Sequence, residues 1–309
     1  MDLNNKKATR QSLGEALKDL GDKNEKIVVL DADLSGATKS NIFAKAYPER
    51  FINVGIAEQN MIGIAAGLST CNKIPYACSF AVFITGRVYD QIRTSICYPN
   101  LNVKICGTHS GLTVGEDGAT HQMLEDINLM RALPNMKIIS PSDDIQTKWA
   151  VEEASKINGP FYIRLCRLAT PIIYENETKF EFGKGICFGN GKDATIFSTG
   201  SMVSRALEAK EILKSKGKDV RVVDLHTIKP IDEDLIIKCA TETKMLISIE
   251  DHNIIGGLGS AISDVLVEKY PKKLIKMGVK DSFGRSGKAE DLLQYFHLTT
   301  MDVVQKICN

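Results

Sequence analysis

Phe51-Ile-Asn53-Val-Gly55-Ile-Ala57-Glu58-Gln59-Asn60-Met61-Ile-Gly63-Ile-Ala-Ala-Gly67-Leu68 reads as a strand, a turn and a helix in succession. Phe51–Val54 is a short, mostly apolar run closed by Gly55. The segment Ala57–Ser69 has no proline, and from Met61 to Leu68 it is apolar on nearly every face, so it is expected to be buried. Glu58 falls in its first turn. A solvated acid favoured there by the helix dipole is the plain explanation. A carboxylate buried with the helix would instead need a partner or a raised pKa, and both are marks of function.

The same rhythm extends in both directions. Apolar, β-branched runs predict strands at Ile27–Leu30, Ile74–Phe80, Val103–Gly107, Lys137–Ser140 and Phe161–Cys166. Longer amphipathic segments between them predict helices over Gln11–Leu20, Val88–Cys97, Leu124–Ala132 and Ile145–Ile157. Continuous apolar strands alternating with helices imply a parallel α/β sheet covered on both faces. The rhythm breaks between Thr170 and Asp193, where Pro171 and four glycines fall, and this stretch reads as a linker. It resumes with strands at Ala194–Ser198, Val220–Asp224, Met245–Glu250 and Leu274–Val279 and helices at Ser204–Lys216, Glu233–Thr241 and Leu258–Lys269. The expected organisation is a domain over 1–170, a linker over 171–193 and a smaller α/β domain over 194–309.

Composition sets limits. The 309 residues are 43% hydrophobic and 25% charged, with 39 Lys plus Arg against 38 Asp plus Glu. That balance predicts neither a nucleic-acid nor an anionic-membrane partner. Met1–Arg10 is polar and predicts no secretory signal, and Met61–Leu68 is too short to span a bilayer. Eight cysteines are scattered without a Cys-x-x-Cys pair. Buried free thiols in a reducing cytoplasm are the expectation.

Three further clusters sit where strands end, the usual place for sites in open α/β sheets. Phe80 and Phe83 follow a strand three residues apart, a pattern that core packing also explains. Gly107-Thr-His109-Ser-Gly-Leu-Thr-Val-Gly115-Glu116-Asp117-Gly118-Ala-Thr120-His121-Gln122 places two of the five histidines in one glycine-rich polar loop, which suggests binding. A metal site and a flexible surface loop are its rivals. Arg164 and Arg167 close a strand and suit a phosphate or carboxylate, or a surface ion pair.

Taken in order, these residues resemble transketolase. The likeness runs from Ala8-Thr-Arg10 and Asp31-Ala-Asp33-Leu, through the Glu58-Gln59-Asn60 turn, Asp90-Gln-Ile-Arg93 and the two-histidine loop. It continues to Thr227-Ile-Lys-Pro230, Glu250-Asp-His252 and Arg285-Ser-Gly-Lys288. The resemblance covers two of three transketolase domains: the pyrimidine-binding domain, a parallel sheet with helices on both faces, and the smaller C-terminal α/β domain. The Gly-Asp-Gly motif through which the family holds a metal and the diphosphate does not occur. The resemblance is therefore to the C-terminal subunit of a split, two-chain transketolase, which implies activity only with a partner that binds Mg2+ (or Ca2+), in an α2β2 assembly.

What the resemblance implies is transfer of a two-carbon ketol unit from a ketose phosphate to an aldose phosphate, with thiamine diphosphate as cofactor. Glu58 matches the family's pyrimidine-activating glutamate, Phe80 and Phe83 the aromatic wall, and Asp33 an aspartate near the cofactor. His109 and His121 match the histidines that handle the sugar's oxygens. Asp117 matches a hydroxyl reader, and Arg10 and Arg167 match phosphate anchors. Two positions depart from the pattern. Ala37 stands where a serine is usual, with Thr38 or Ser40 as substitutes, and Gly86 reads as a one-residue insertion. Deoxyxylulose-phosphate synthase and the beta subunit of 2-oxo acid dehydrogenases share the two-domain plan and are the rival readings, along with a non-catalytic binding subunit.

Overall fold

The computed structural model describes residues 5–309; Met1–Asn4, with the start of the polar N-terminal stretch, lie outside them. The strands of the first half are β1 (Lys6–Ala8), β2 (Ile27–Asp31), β3 (Phe51–Asn53), β4 (Ile74–Phe80), β5 (Lys104–Thr108), β6 (Lys137–Ile139), β7 (Phe161–Arg164) and β8 (Ala169–Pro171). Those of the second are β9 (Ile186–Phe188), β10 (Ala194–Ser198), β11 (Val220–Asp224), β12 (Thr227–Lys229), β13 (Met245–Asn253) and β14 (Leu274–Val279). They build a seven-stranded sheet of order β12-β6-β7-β5-β4-β2-β3, a five-stranded sheet of order β14-β13-β10-β11-β9, and the small antiparallel pair β1-β8.

All contacts in the large sheet are parallel except β12 on β6. Its central strands bury side chains on both faces, which is why they read as unbroken apolar runs. In β2, Val28 and Leu30 join one core with Met61, Ile62 and Ile105, while Ile27 and Val29 join the other with Leu13, Leu17 and Phe161. Each fully buried aliphatic side chain contributes about 1.5–3 kcal/mol. The smaller sheet repeats the scheme: Ile196 and Val222 face one core, Phe197 and Val223 the other.

Several elements differ from expectation. Ile186–Phe188, inside the stretch read as linker, is the antiparallel edge of the smaller sheet. Thr227–Lys229 leaves the second half and adds an edge strand to the first sheet, where Ser140 N also donates to His226 O at 2.8 Å. Short strands of this kind show no period of their own; a neighbouring edge creates them. The segment Val88–Cys97 is a short α-turn, Tyr89–Gln91, followed by π-type turns over Ile92–Cys97. A last helix, Thr300–Cys308, is started by a capping box between Thr299 and Asp302, a signal the sequence reading passed over.

The helix Glu58–Thr70 is covered on one side only. Met61, Ile62, Ala65 and Ala66 are buried, while Gln59, Asn60, Gly63 and Gly67 are exposed, so the expectation of burial on every face is corrected. Ile56, beside it, is 79% exposed. All eight cysteines are free, and five of them, including Cys78, Cys106 and Cys166, are buried. Among the described residues no helix is long and apolar enough to cross a membrane.

Candidate active site

The carboxyl ends of β2, β3, β4 and β5 lie side by side, and each delivers polar or aromatic side chains to the same rim. After β2, Asp33 sits exposed in the left-handed region (φ 64°). Asn53 at the end of β3 accepts from Asp33 N and Gly55 N, both at 3.1 Å, and so ties the two turns together. Glu58 opens the helix after β3. It is only 3% exposed, and its Oε2 accepts from Arg87 Nη1 at 2.9 Å. Among the described residues no donor reaches its other oxygen, Oε1.

β4 delivers Phe80 and β5 delivers His109. The two rings stack with centroids 3.8 Å apart. Phe83 lies 5.9 Å from Phe80 and carries the Arg87 guanidinium on its face at 4.3 Å. His121 closes the cluster edge-on, 5.4 Å from Phe83 and 6.3 Å from Phe80. Thr108 and Thr120 hydroxyls hydrogen-bond the Nδ1 atoms of His109 and His121, each at 2.9 Å, and fix the rings. Burial, then the cations Arg10 and Arg167, push the His109 pKa down to about 3. His109 is therefore neutral near pH 7, a hydrogen-bonding group rather than a cation.

The arginines stand at the same rim. Arg10 donates to Ala37 O at 2.8 Å and to Arg167 O at 3.1 Å. Burial and the Arg167 charge hold its pKa below the usual value. Arg167 donates to Val114 O and lies 3.7 Å from both Glu116 and Asp117. Asp117 itself is exposed on the loop tip.

The loop that carries the histidines is held from the second half of the chain. Asp251 on β13 accepts from Leu112 N at 2.7 Å, Thr113 Oγ1 at 2.9 Å and Thr113 N at 3.3 Å. Gly111 permits this approach, because a Cβ there would lie 2.2 Å from Asp251 Oδ2. Gln122 closes the other end, donating to Gly115 O at 3.0 Å and Arg285 O at 2.9 Å. Thus Asp251 and the Arg285 backbone carbonyl frame the loop.

Two expectations fail. Thr38 is fully buried and donates its hydroxyl to Asp31 Oδ2 at 2.7 Å, and Ser40 does the same at 2.8 Å. Neither hydroxyl is free for a ligand, because the buried Asp31 carboxylate needs both. Arg164 is 6% exposed, donating to Asp126 Oδ2 at 2.7 Å and to Asp251 O at 2.9 Å, so it joins the two halves rather than meeting an anion from solvent. Arg87 was missed altogether; no motif of its own marked it.

With this geometry in place, comparison with known proteins is direct. Residues 5–172 match the model of the transketolase pyrimidine-binding domain, and 183–303 that of the transketolase C-terminal domain. The chain belongs to the transketolase family. It is 51% identical over 304 residues to a "Putative transketolase C-terminal section" of Methanocaldococcus jannaschii, covering 97% of this chain and 95% of that one. It is 38% identical to the transketolase of Rattus norvegicus, where 97% of this chain spans only 48% of the relative. Among solved structures, "Split gene transketolase, inactive beta4 tetramer" superposes with a TM-score of 0.91 at 50% identity, over 97% of both chains. As a transketolase section the chain is a subunit of a thiamine-diphosphate-dependent transferase, and the synthase and dehydrogenase readings are set aside.

Proposed function

We propose that this subunit supplies the pyrimidine and sugar sites of a two-chain transketolase, with a partner chain holding the diphosphate and its Mg2+ (or Ca2+), in an α2β2 assembly in the cytoplasm. In this reading residues 1–170 form the pyrimidine-binding domain, 171–193 the linker and 194–309 the C-terminal domain. One observation carries it: Glu58, Phe80, Phe83, His109 and His121 converge on one rim beside a helix face that this chain leaves uncovered. Mid-helix Gly63 and Gly67 support the point. Each costs roughly 0.5–1 kcal/mol relative to alanine, and among the described residues no neighbouring element lies within 4 Å of a Cβ placed there.

The residues fit the aminopyrimidine end of thiamine diphosphate. A buried carboxylate with one unused oxygen stands beside an aromatic platform, as a flat ring with a ring N–H requires. The cofactor, when bound, supplies a carbon nucleophile for carbonyl chemistry. Phe80 and Phe83 would stack the pyrimidine ring, Asp33 would border it, and Glu58 Oε1 would share the proton of its nitrogen. Neutral His109 would donate to or accept from the sugar's oxygens, and His121 would move a proton beside it. Asp117 would read a hydroxyl, and Arg10 and Arg167 would anchor a phosphate on the donor ketose or acceptor aldose.

The test is titration calorimetry with thiamine diphosphate and magnesium. The chain alone should bind too weakly to measure at micromolar concentration, and addition of a chain carrying Gly-Asp-Gly should restore binding and ketol transfer. Sub-micromolar binding by the chain alone would overturn the partner requirement.

A further inference from the structure

We infer that Arg87 is the positioning residue for Glu58: it fixes the carboxylate's rotamer, supplies its counter-charge and leaves Oε1 as the oxygen offered to a ligand. This rests on the thiamine reading of the site, although the contacts that argue for it lie within the chain.

Val82–Gly86 forms a π-type turn, and Arg87 follows it directly. Three contacts hold Arg87 against the Glu58 helix. Gln59 Nε2 donates to Arg87 O at 3.4 Å, tying its backbone to the first turn of the Glu58 helix. The guanidinium lies 4.3 Å from the Phe83 centroid, a cation on an aromatic face. Its Nη1 donates to Glu58 Oε2 at 2.9 Å.

The asymmetry of the pair points to its role. Glu58 has 3% of its side chain exposed and Arg87 has 46%. A carboxylate this buried needs a charge partner. With Arg87 it has its charge balanced from one side only. A bidentate grip would consume both oxygens; this one consumes Oε2 and leaves the other open. The guanidinium reaches Glu58 from the exposed side, so Arg87 can be exchanged without disturbing the core.

The experiment uses the reconstituted two-chain enzyme with thiamine diphosphate and magnesium. Hydrogen–deuterium exchange at the thiazolium carbon is measured against pH at full cofactor occupancy, with calorimetric Kd and thermal unfolding alongside. Arg87→Ala should slow exchange by roughly tenfold or more and change the shape of its pH profile. Arg87→Lys, which keeps the charge, should recover part of both effects, and the Kd should stay within a few-fold. Unchanged exchange and pH profile in Arg87→Ala would overturn the assignment. Glu58→Gln in the same assay separates the two levels: if it slows exchange while Arg87→Ala does not, only the Arg87 role fails. If neither has an effect, the thiamine reading of this site fails with it.

Discussion

The two sheets use the same architecture and put their strand ends to opposite uses. In the larger sheet Phe80, the last residue of β4, and His109, just after β5, are themselves buried but stack beside a rim where His121, Arg10 and Arg167 are half-exposed. In the smaller sheet the polar residues at the ends of β11 and β13 are shut in. Asp224, Glu250 and His252 are 0% exposed and Asp251 is 3%. Glu250 accepts from Leu258 N at 2.6 Å and Gly259 N at 2.9 Å at the start of a helix, and Asp251 grips the histidine loop. A strand-end position marks where polar groups gather. What covers that end decides whether they meet a ligand or hold the protein together.

Five substitutions test the contrast. The largest effect is expected at the open rim. Glu58→Gln keeps shape and hydrogen bonding but cannot exchange a proton, so thiazolium exchange in the reconstituted enzyme should fall by roughly 10³-fold at equal cofactor occupancy. Equal rates would return Glu58 to a structural first-turn acid. Next, His109→Ala or His121→Ala should leave cofactor affinity nearly intact and slow ketose cleavage by about 10²-fold. Unaltered turnover in both variants would make the loop a scaffold only.

The closed ends should answer in stability instead. Asp251→Ala strands the Leu112 and Thr113 amides and should cost on the order of 2–4 kcal/mol in urea unfolding. It should also reduce turnover, because the loop loses its frame. A variant as stable as the parent would show that the loop holds itself. The smallest effect concerns pH. Burial pushes the Asp224 carboxyl up to about 7, while its Oδ2 accepts from Tyr174, Gln146 and Ser142. Its folded pKa lies above the unfolded value near 3.8, so the folded state binds the extra proton and stability falls as pH rises from about 4 to 7. Asp224→Asn cannot ionise and should flatten that decline. Its stability relative to the parent should rise steadily across the window. Parallel stability curves would mean Asp224 ionises as readily folded as unfolded.

Legibility followed contact range. Glu58, Phe80, Phe83 and His109 stood out because each sits within a few residues of a strand end, visible as a local change of pattern, and His121 because it shares the glycine-rich loop with His109. Thr38 was misjudged because a hydroxyl near a loop looks available until the buried Asp31 beneath it is known. Arg87 lacked any motif of its own; its importance comes from an ion pair across 29 residues of chain. Asp251 reaches its loop across 139 residues.

By itself the sequence determined the alternation of strands and helices, the two parallel α/β units, and the residues of the open rim. Those depend on apolar periodicity and turn chemistry, which neighbouring residues set. Only the tertiary structure decided that β12 crosses to the first sheet, that Arg164 and Asp251 join the halves, that Thr38 faces inward, and that one side of the Glu58 helix stays bare. These are pairings between distant segments. A side chain's partner there is settled by which surfaces must be buried together and which buried charges must be met, and no local pattern records that.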